Sequence, residues 1–270
     1  MNRLVLGLAA VFVAANVGVV NAAIGFGDTS KYWAGWNNGS GDDARDVIGT
    51  PDFLNDAAGG VDLGANGLLQ KITFSYNSAA ACSPELLYGD LFLGVDGDSQ
   101  WDYVVRTHVF GGGDQRAAMA QTNIALCIYD YSAAPIALGS PTAYQYSSQA
   151  RRRAGGSWTG YNIRDWHPWA LAAPDADKLM AGNVVFSGWQ DYANPGVSFF
   201  DFTSLPGGGL DLSGASTLTI GFAMQCGNDV IHETVDLPKG NVPEPASLIV
   251  WSLLAVVGLL VVRHRRRGAA

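Results

Sequence analysis

The chain is poor in charge and in reactive side chains. Charged residues make up 15% of its 270 positions, and only three cysteines and four histidines are present. Cys82, Cys127 and Cys226 lie 45 and 99 residues apart, which fits neither a zinc pattern nor a redox pair. One disulfide with a leftover thiol and three free cysteines are both compatible with this spacing. The sequence has no Gly-x-Ser-x-Gly elbow, phosphate loop or dinucleotide fingerprint, so we expect a protein that is not an enzyme.

Basic residues are scarce in the middle of the chain. Five of the sixteen Lys and Arg residues, but only one of the 24 acidic residues, lie in residues 1–22 and 242–270. Residues 23–241 therefore hold 11 basic and 23 acidic side chains, a net charge of −12. Nearly all the acids are Asp, a turn residue rather than a helix former. Because basic surface supplies most of the affinity for phosphate backbones, we do not expect a nucleic acid partner.

The N-terminus has the three parts of a secretory signal peptide. Arg3 is followed by an apolar run over residues 4–20 and then by the small residues Ala22 and Ala23. We predict a signal peptide over residues 1–22, cleaved after Ala22, with cleavage after Ala23 as the alternative. An uncleaved anchor is the other interpretation. A cleaved signal peptide implies export through the Sec machinery and contact with signal peptidase.

The C-terminus also has three parts in a defined order. An extended motif comes first, and its residues are Val242, Pro243, Glu244 and Pro245. The two prolines remove backbone donors and keep Glu244 on an open strand. Residues 246–262 are apolar and predict a transmembrane helix of about 25 Å, near the lower limit for a span. A basic tail at 263–267 should stay in the cytoplasm; its arginines are Arg263, Arg265, Arg266 and Arg267.

This order of parts resembles the PEP-CTERM sorting domain of Gram-negative bacteria, over residues 242–270. The resemblance implies recognition and cleavage near the motif by an exosortase, a membrane cysteine protease-transpeptidase. It further implies a transient stay in the inner membrane, a final place at the cell surface or outside the cell, and a role connected with exopolysaccharide and biofilm. An ordinary C-terminal anchor with an accidental Pro-Glu-Pro is the alternative. Short strings such as Gly89-Asp90-Leu91-Phe92 also resemble exosortase-dependent surface proteins, which implies an extracellular β-rich domain with no assigned activity.

Alternating apolar residues dominate the region between the two signals. Examples are Ile72, Phe74 and Tyr76; Ile124, Leu126 and Ile128; and Leu218, Ile220 and Phe222. Residues 101–109 predict one long strand, residues 23–60 loops with one short strand, and residues 139–160 a surface excursion. Many short strands with Gly-rich turns predict a mainly β fold. We expect one domain over residues 23–241, resembling a β-sandwich or jelly roll, between an N-terminal signal helix and a C-terminal transmembrane helix.

One acidic segment is a candidate metal site. Asp96, Asp98 and Asp102, with Gln100 between them, place oxygen atoms at alternate positions, as at the start of a calcium loop. The twelfth position is Thr107 instead of Glu, so the full loop motif is absent. Asp90 could add a ligand. The alternative is a hairpin turn in which Asp side chains cap the backbone. Apart from calcium, we expect no cofactor.

The histidines and aromatic residues offer weaker candidates. His108 and His167 have the surroundings of packing residues, and His232-Glu233 begins a zinc-protease motif that fails because position 236 is Asp. We also expect His232 to lie in a linker before the membrane segment. Six aromatic residues in polar surroundings could stack on sugars or cover the ends of the domain: Trp33, Trp36, Trp158, Tyr161, Trp166 and Trp169. Residues 151–153, three arginines, predict a solvated loop or a contact with acidic polysaccharide.

These features favour a non-enzymatic surface or matrix protein that is sorted by an exosortase. Glycan binding or adhesion, with exopolysaccharide as a partner, is the role that we expect for its β domain. The alternative is a secreted polysaccharide hydrolase whose carboxylate pair is hidden among the 23 acids.

Overall fold

The described part of the molecule belongs to one compact unit, Asn21–Gly240. The computed structural model describes residues 22–28, 33, 54–64, 67–76, 89–107, 123–140, 142–146, 167–187, 196–223, 227 and 230–238. Within these ranges the chain is mainly β, and the only helical element is a 3₁₀ turn at Ala176–Lys178. The prediction of a mainly β fold is therefore confirmed.

Fifteen strands are numbered in chain order within the described residues. They are β1 (Ala22–Phe26), β2 (Leu54–Leu63), β3 (Leu68–Tyr76), β4 (Leu91–Val95), β5 (Gln100–Trp101), β6 (Tyr103–Arg106), β7 (Ile124–Asp130), β8 (Ile136–Ala137), β9 (Tyr144–Tyr146), β10 (Pro168–Leu171), β11 (Val184–Ser187), β12 (Val197–Asp201), β13 (Leu210–Asp211), β14 (Thr217–Ala223) and β15 (Val230–Asp236). Eleven of them form one large antiparallel sheet, in the order β1-β2-β3-β12-β11-β7-β6-β4-β14-β15, with β13 paired to β3. The first and last strands of this order, β1 and β15, also approach each other, so the sheet is nearly closed.

Alternating apolar residues line the inside of the sheet. In β3, which lies between β2 and β12, Ile72 and Phe74 are fully buried, whereas Lys71 is only partly buried. The ring of Phe74 stacks on that of Phe222 from β14, with centroids 4.8 Å apart, although the two strands are far apart in the sheet order. The sheet must therefore curve around these rings. Each such side chain contributes about 1.5–3 kcal/mol through its burial.

A second apolar layer covers the outer face of β4, β6 and β14. Phe92 and Val104 point away from the inner core and belong to a separate cluster centred on Trp33 and Trp101. The indole of Trp33 lies 4.9 Å from the Phe92 ring and 5.2 Å from Trp101, measured between centroids. The paired strands β9 and β10 add Tyr144 and other residues to this layer. The three sheet strands are thus buried on both faces.

Strand direction gathers several chain segments at one end of the sheet. Tyr103, the first residue of β6, pairs with Asp130, the last of β7. Likewise Asp201, the last residue of β12, pairs with Lys71 near the start of β3. Asp236 ends β15 beside Thr217, which begins β14. This end, which we call the acidic end, also receives the turns at 96–99 and 202–209.

The long strand that we predicted over residues 101–109 is wrong in its first half. The chain bends at Asp102, so that β5 pairs with β8 while β6 pairs with β4 and β7. The bend is held because the N–H of Asp102 donates to the carbonyl of Leu93 at 2.8 Å, and its own carbonyl accepts from Tyr131 N–H at 2.6 Å. Hydrogen bonding at Asp102 outweighs the alternation of apolar side chains.

Three further expectations are corrected. His232 lies not in a linker but in β15, whose seven residues all pair with β14. Residues 23–60 contain β1 and most of β2 instead of one short strand, and these two strands pair with each other. Part of the region 139–160 is also not a surface excursion, because Tyr144 is buried in the outer layer.

Candidate functional site

The first two residues of the acidic segment form a tight turn between β4 and β5. Asp96, Gly97 and Ser99 all have positive φ, 61°, 67° and 61°, the left-handed conformation that tight turns use. The carboxylate of Asp96 accepts hydrogen bonds from Ser216 N at 2.6 Å and Ser216 Oγ at 3.0 Å. Its N–H donates to the carbonyl of Thr217 at 3.1 Å. Asp96 therefore attaches the hairpin to the start of β14.

Asp102 is nearly buried beside this turn. Its Oδ2 accepts from Val95 N at 2.6 Å, which fixes the carboxyl against the end of β4. Burial raises the pKa of Asp102; the hydrogen bond from Val95 lowers it, and the negative charges of Asp98, Asp130 and Asp96 raise it further. The carboxylate form is thus disfavoured by its surroundings.

The geometry favours the turn over the calcium site. Asp96 and Asp102 direct their carboxylates at backbone N–H groups of different segments. In the described part of the chain, no group of three or more His, Cys, Asp or Glu side chains is arranged to hold a metal ion. Calcium binding by Asp96, Asp98 and Asp102 remains a prediction, which the effect of calcium on the melting temperature would test.

Asp90, the suggested additional ligand, has a structural role instead. Its carboxylate is fully buried, with Oδ1 accepting from Thr107 N and Oδ2 from Leu171 N, both at 2.8 Å. Its N–H donates to the carbonyl of Trp169 at 2.9 Å. Asp90 thus joins the inner sheet to β10 of the outer layer. These hydrogen bonds satisfy both oxygens of the buried carboxylate and fix it between the two layers.

Several other acids cap the ends of strands. Asp130 Oδ1 accepts from both the N–H and the hydroxyl of Ser132, at 2.8 and 2.6 Å. Asp201 does the same for Thr203, and Asp211 accepts from Ser213 N at 2.9 Å. The repeated Asp-x-Ser/Thr pattern satisfies backbone donors where β7, β12 and β13 end. Much of the acidity at the acidic end therefore has a local structural cause.

The described histidines pack against aromatic rings. His167 is buried, and its ring centroid lies 5.5 Å from that of Trp33. His232 lies 5.7 Å from the Trp101 ring, and burial lowers its pKa. Since His232 is on a strand, the incomplete zinc motif also lacks the helix that it would need. His108 lies outside the described residues.

Two of the six candidate sugar-stacking residues cannot stack on an external sugar in this structure. Trp33 is 0% exposed and Trp169 is 1% exposed. The Nε1 of Trp33 donates to the carbonyl of Ile231 at 3.2 Å, which holds the indole over β15. The other four lie outside the described residues, as do the arginines at 151–153.

The predicted sorting residues cannot be placed. Val242 to Pro245, the apolar run at 246–262 and the basic tail at 263–267 all lie outside the described residues, and so does most of the predicted signal peptide. Among the described residues, no helix has the length and apolar character needed to cross a membrane.

The acidic end carries an open groove that the sequence did not predict. It has a volume of about 470 Å³, and its walls come from β3, β6, the segment before β11, the turn at 205–209 and β13. Tyr103, Met180 and Pro206 are at least partly exposed in the groove, whereas Leu210 is buried in its wall. Asp211 is the one charged residue among the described residues that line it. Burial, and next the charge of Asp130, raise the pKa of Tyr103, so its phenol stays protonated at neutral pH. Hydrogen bonds from the N–H and then the hydroxyl of Ser213 lower the pKa of Asp211, which is therefore ionised.

Comparison with known proteins identifies no relative of this chain. No protein-family model matches the chain, and no curated protein or solved structure matches it. The function therefore has to be inferred from the residues and the geometry described above.

Proposed function

We propose that the chain is an exported surface protein of a Gram-negative bacterium, with a PEP-CTERM-type sorting signal at residues 242–270. The observation that carries the proposal is the order of the three C-terminal parts: the motif at 242–245, the apolar run at 246–262 and the arginines at 263–267. The Sec machinery and signal peptidase would handle residues 1–22. An exosortase would then cleave near Glu244 during a transient stay in the inner membrane, before the protein reaches the surface or the medium.

The β unit is, in this proposal, a non-catalytic binding or structural module of an exopolysaccharide matrix. Three potential catalytic groups in the described part have packing or capping roles, which supports this: Asp90, His167 and Asp102. A sandwich or jelly-roll arrangement, with a signal helix and a transmembrane helix at the two ends, is part of the same proposal. Curvature of the sheet around Phe74 and Phe222 supports the sandwich or jelly-roll arrangement.

Processing is tested by the mass of the C-terminal peptide in host cells with and without an exosortase. We expect the native protein from exosortase-positive cells to end near Val242, and the protein from deficient cells to keep Ala270. Glu244→Gln should block processing. Asp236→Asn is the matched control, because it removes one negative charge from an exposed position eight residues upstream. An intact Ala270 terminus in exosortase-positive cells would refute the sorting proposal.

The non-enzymatic role is tested separately. Purified protein should release no reducing ends from neutral, acidic or amino-sugar polysaccharides. Release that rises with protein concentration would establish the polysaccharide hydrolase instead.

A further inference from the structure

The groove at the acidic end is open and mainly apolar, and it is large enough to hold a small molecule. Its volume of about 470 Å³ falls within the range of about 300–1,000 Å³ that is usual for small-molecule sites. Four separate segments of the chain meet there, and strands of the sheet contribute to its walls. The turn at 205–209 is held by hydrogen bonds from Leu205 N to the Phe202 carbonyl at 3.0 Å and from Gly208 N to the Leu205 carbonyl at 2.9 Å. The site is therefore formed before any ligand arrives.

The chemistry of the walls is amphipathic. Leu68, Met180 and Pro206 offer carbon surface, and the half-buried ring of Tyr103 adds an aromatic face with a hydroxyl at its edge. Pyranose rings have one face of C–H groups, which packs against such surfaces, and hydroxyl groups around the edge, which hydrogen-bond. A sugar unit matches both features: the phenol of Tyr103, which hydrogen-bonds to Ser132, and the carboxylate of Asp211, which accepts from Ser213 N, each keep capacity for a further hydrogen bond to a sugar.

The charge at the groove selects among sugars. Asp211 is exposed and ionised at the rim, and Asp130 and Asp102 act electrostatically on the neighbouring Tyr103. No Lys or Arg side chain is among the lining residues in the described part of the chain. Like charges repel, so a uronic acid or a phosphorylated sugar would bind poorly here. A protonated amine on the sugar would instead be attracted.

We propose that this groove binds a positively charged amino-sugar unit of a polysaccharide, with Tyr103 and the apolar walls contacting the ring and Asp211 pairing with the ammonium group. The assignment rests on the proposed role of the β unit as a matrix-binding module, and it names the site and the class of sugar. It is independent of the sorting signal, because processing at Glu244 and binding at Asp211 are read by different measurements.

The test is calorimetric titration of the purified full-length protein in mild detergent. The probes are a fully deacetylated glucosamine tetramer, the N-acetylated tetramer and tetragalacturonate. We expect saturable binding of the first, weaker binding of the second and none of the third, with affinity for the first falling as salt is added. Asp211→Asn should weaken binding of the glucosamine tetramer about tenfold, since a charge-assisted hydrogen bond is replaced by a neutral one. Tyr103→Phe should weaken it about threefold through loss of the phenol hydrogen bond.

Two further variants distinguish binding in the groove from non-specific attraction to the negative charge of the acidic end. Ala181→Trp fills the groove from an exposed position and should abolish binding. Asp236→Asn removes one exposed carboxylate at the same end of the sheet, outside the groove, and should leave the affinity unchanged. The melting temperature of each variant shows that it is folded.

Four results would overturn the proposal. They are no saturable binding of the glucosamine tetramer, equal weakening by Asp236→Asn and Asp211→Asn, equal affinity for tetragalacturonate, and tetralysine binding as tightly as the sugar with the same sensitivity to Ala181→Trp. The last would identify a site for basic peptides instead.

Discussion

Trp101 lies against two glycines of the large sheet, and this contact allows a quantitative test of the outer layer. A Cβ atom added at Gly221 in β14 would overlap the indole, nearest to its Cη2 atom and 2.7 Å from its Cζ2 atom. Gly94 in the neighbouring strand β4 is also close, with its Cβ position 3.5 Å from Cε3 of the same ring. Since carbon atoms pack at about 3.5–4.0 Å, Gly221→Ala would require the ring to move by more than about 1 Å.

The ring has little room for that movement. The centroid of Trp33 lies 5.2 Å from that of Trp101, the Phe92 ring 5.7 Å and the His232 ring 5.7 Å. Overpacking of a filled core costs about 1–3 kcal/mol. For a domain of this size, that loss lowers the melting temperature by about 3–10 °C.

The assay is urea denaturation followed by tryptophan fluorescence and by circular dichroism. Gly214→Ala is the matched control, because a Cβ atom at Gly214 would meet nothing within 4 Å and its φ is not positive. We expect the control to unfold within about 1 kcal/mol of the wild-type protein. Combining Gly221→Ala with Trp101→Phe should show a coupling energy of about 1 kcal/mol or more, since the smaller ring relieves the overlap.

Two outcomes would refute this account of the outer layer. One is a Gly221→Ala protein that unfolds at the wild-type urea concentration. The other is a cost for Gly221→Ala that is the same in the wild-type protein and in the Trp101→Phe variant.

Three further predictions concern charge and sulfur. Burial lowers the pKa of His232 in the folded state, so the unfolded chain takes up a proton first as the pH falls below about 6.5. The unfolding free energy should therefore decrease between pH 7.5 and pH 5.5, and it should decrease less steeply in His232→Gln. Asp96→Ala should lower the unfolding free energy by about 1–2 kcal/mol, because it removes the acceptor for Ser216 and places alanine at a positive φ. Asp96→Asn keeps an acceptor and a residue that tolerates positive φ, so its stability should be close to that of the wild-type protein. A melting temperature that calcium raises in the wild-type protein but not in Asp102→Asn would instead establish the metal site. Cys127 is a free thiol, so any disulfide joins Cys82 and Cys226, and alkylation in denaturant without reductant should label Cys127 alone; label on all three would show that no bridge forms.

Strand positions were predictable where one face of a strand is buried. The alternation in β3 and β7 predicted the buried pairs Ile72 with Phe74 and Leu126 with Ile128, and all four are buried. Alternation failed where a second layer buries the other face. In β4, Phe92 is as fully buried as Leu91 and Leu93, because the outer aromatic cluster covers it. A strand of this kind is a continuous apolar run, and periodicity does not show what lies on either side.

The two short outer ladders were missed for a related reason. β8 and β10 have two and four residues, and each is held by a partner distant in the chain. β10 is fixed by the Asp90 carboxylate, which accepts from Leu171 N across 81 residues of sequence. Local propensity carries no information on a hydrogen bond of that range.

The groove was unpredictable on stronger grounds. Tyr103 and Asp211 are 108 residues apart, and they share one groove only because β6 and β13 reach the same end of a curved sheet. Asp211 belongs to an Asp-x-Ser turn identical in form to that of Asp130, so its local sequence indicates a cap and nothing more. What distinguishes Asp211 is its position at the rim of an apolar groove, and strand order decides that position. A carboxylate that caps its own turn with one oxygen is held rigidly at the groove, which is the condition for selecting a charged sugar at low entropic cost.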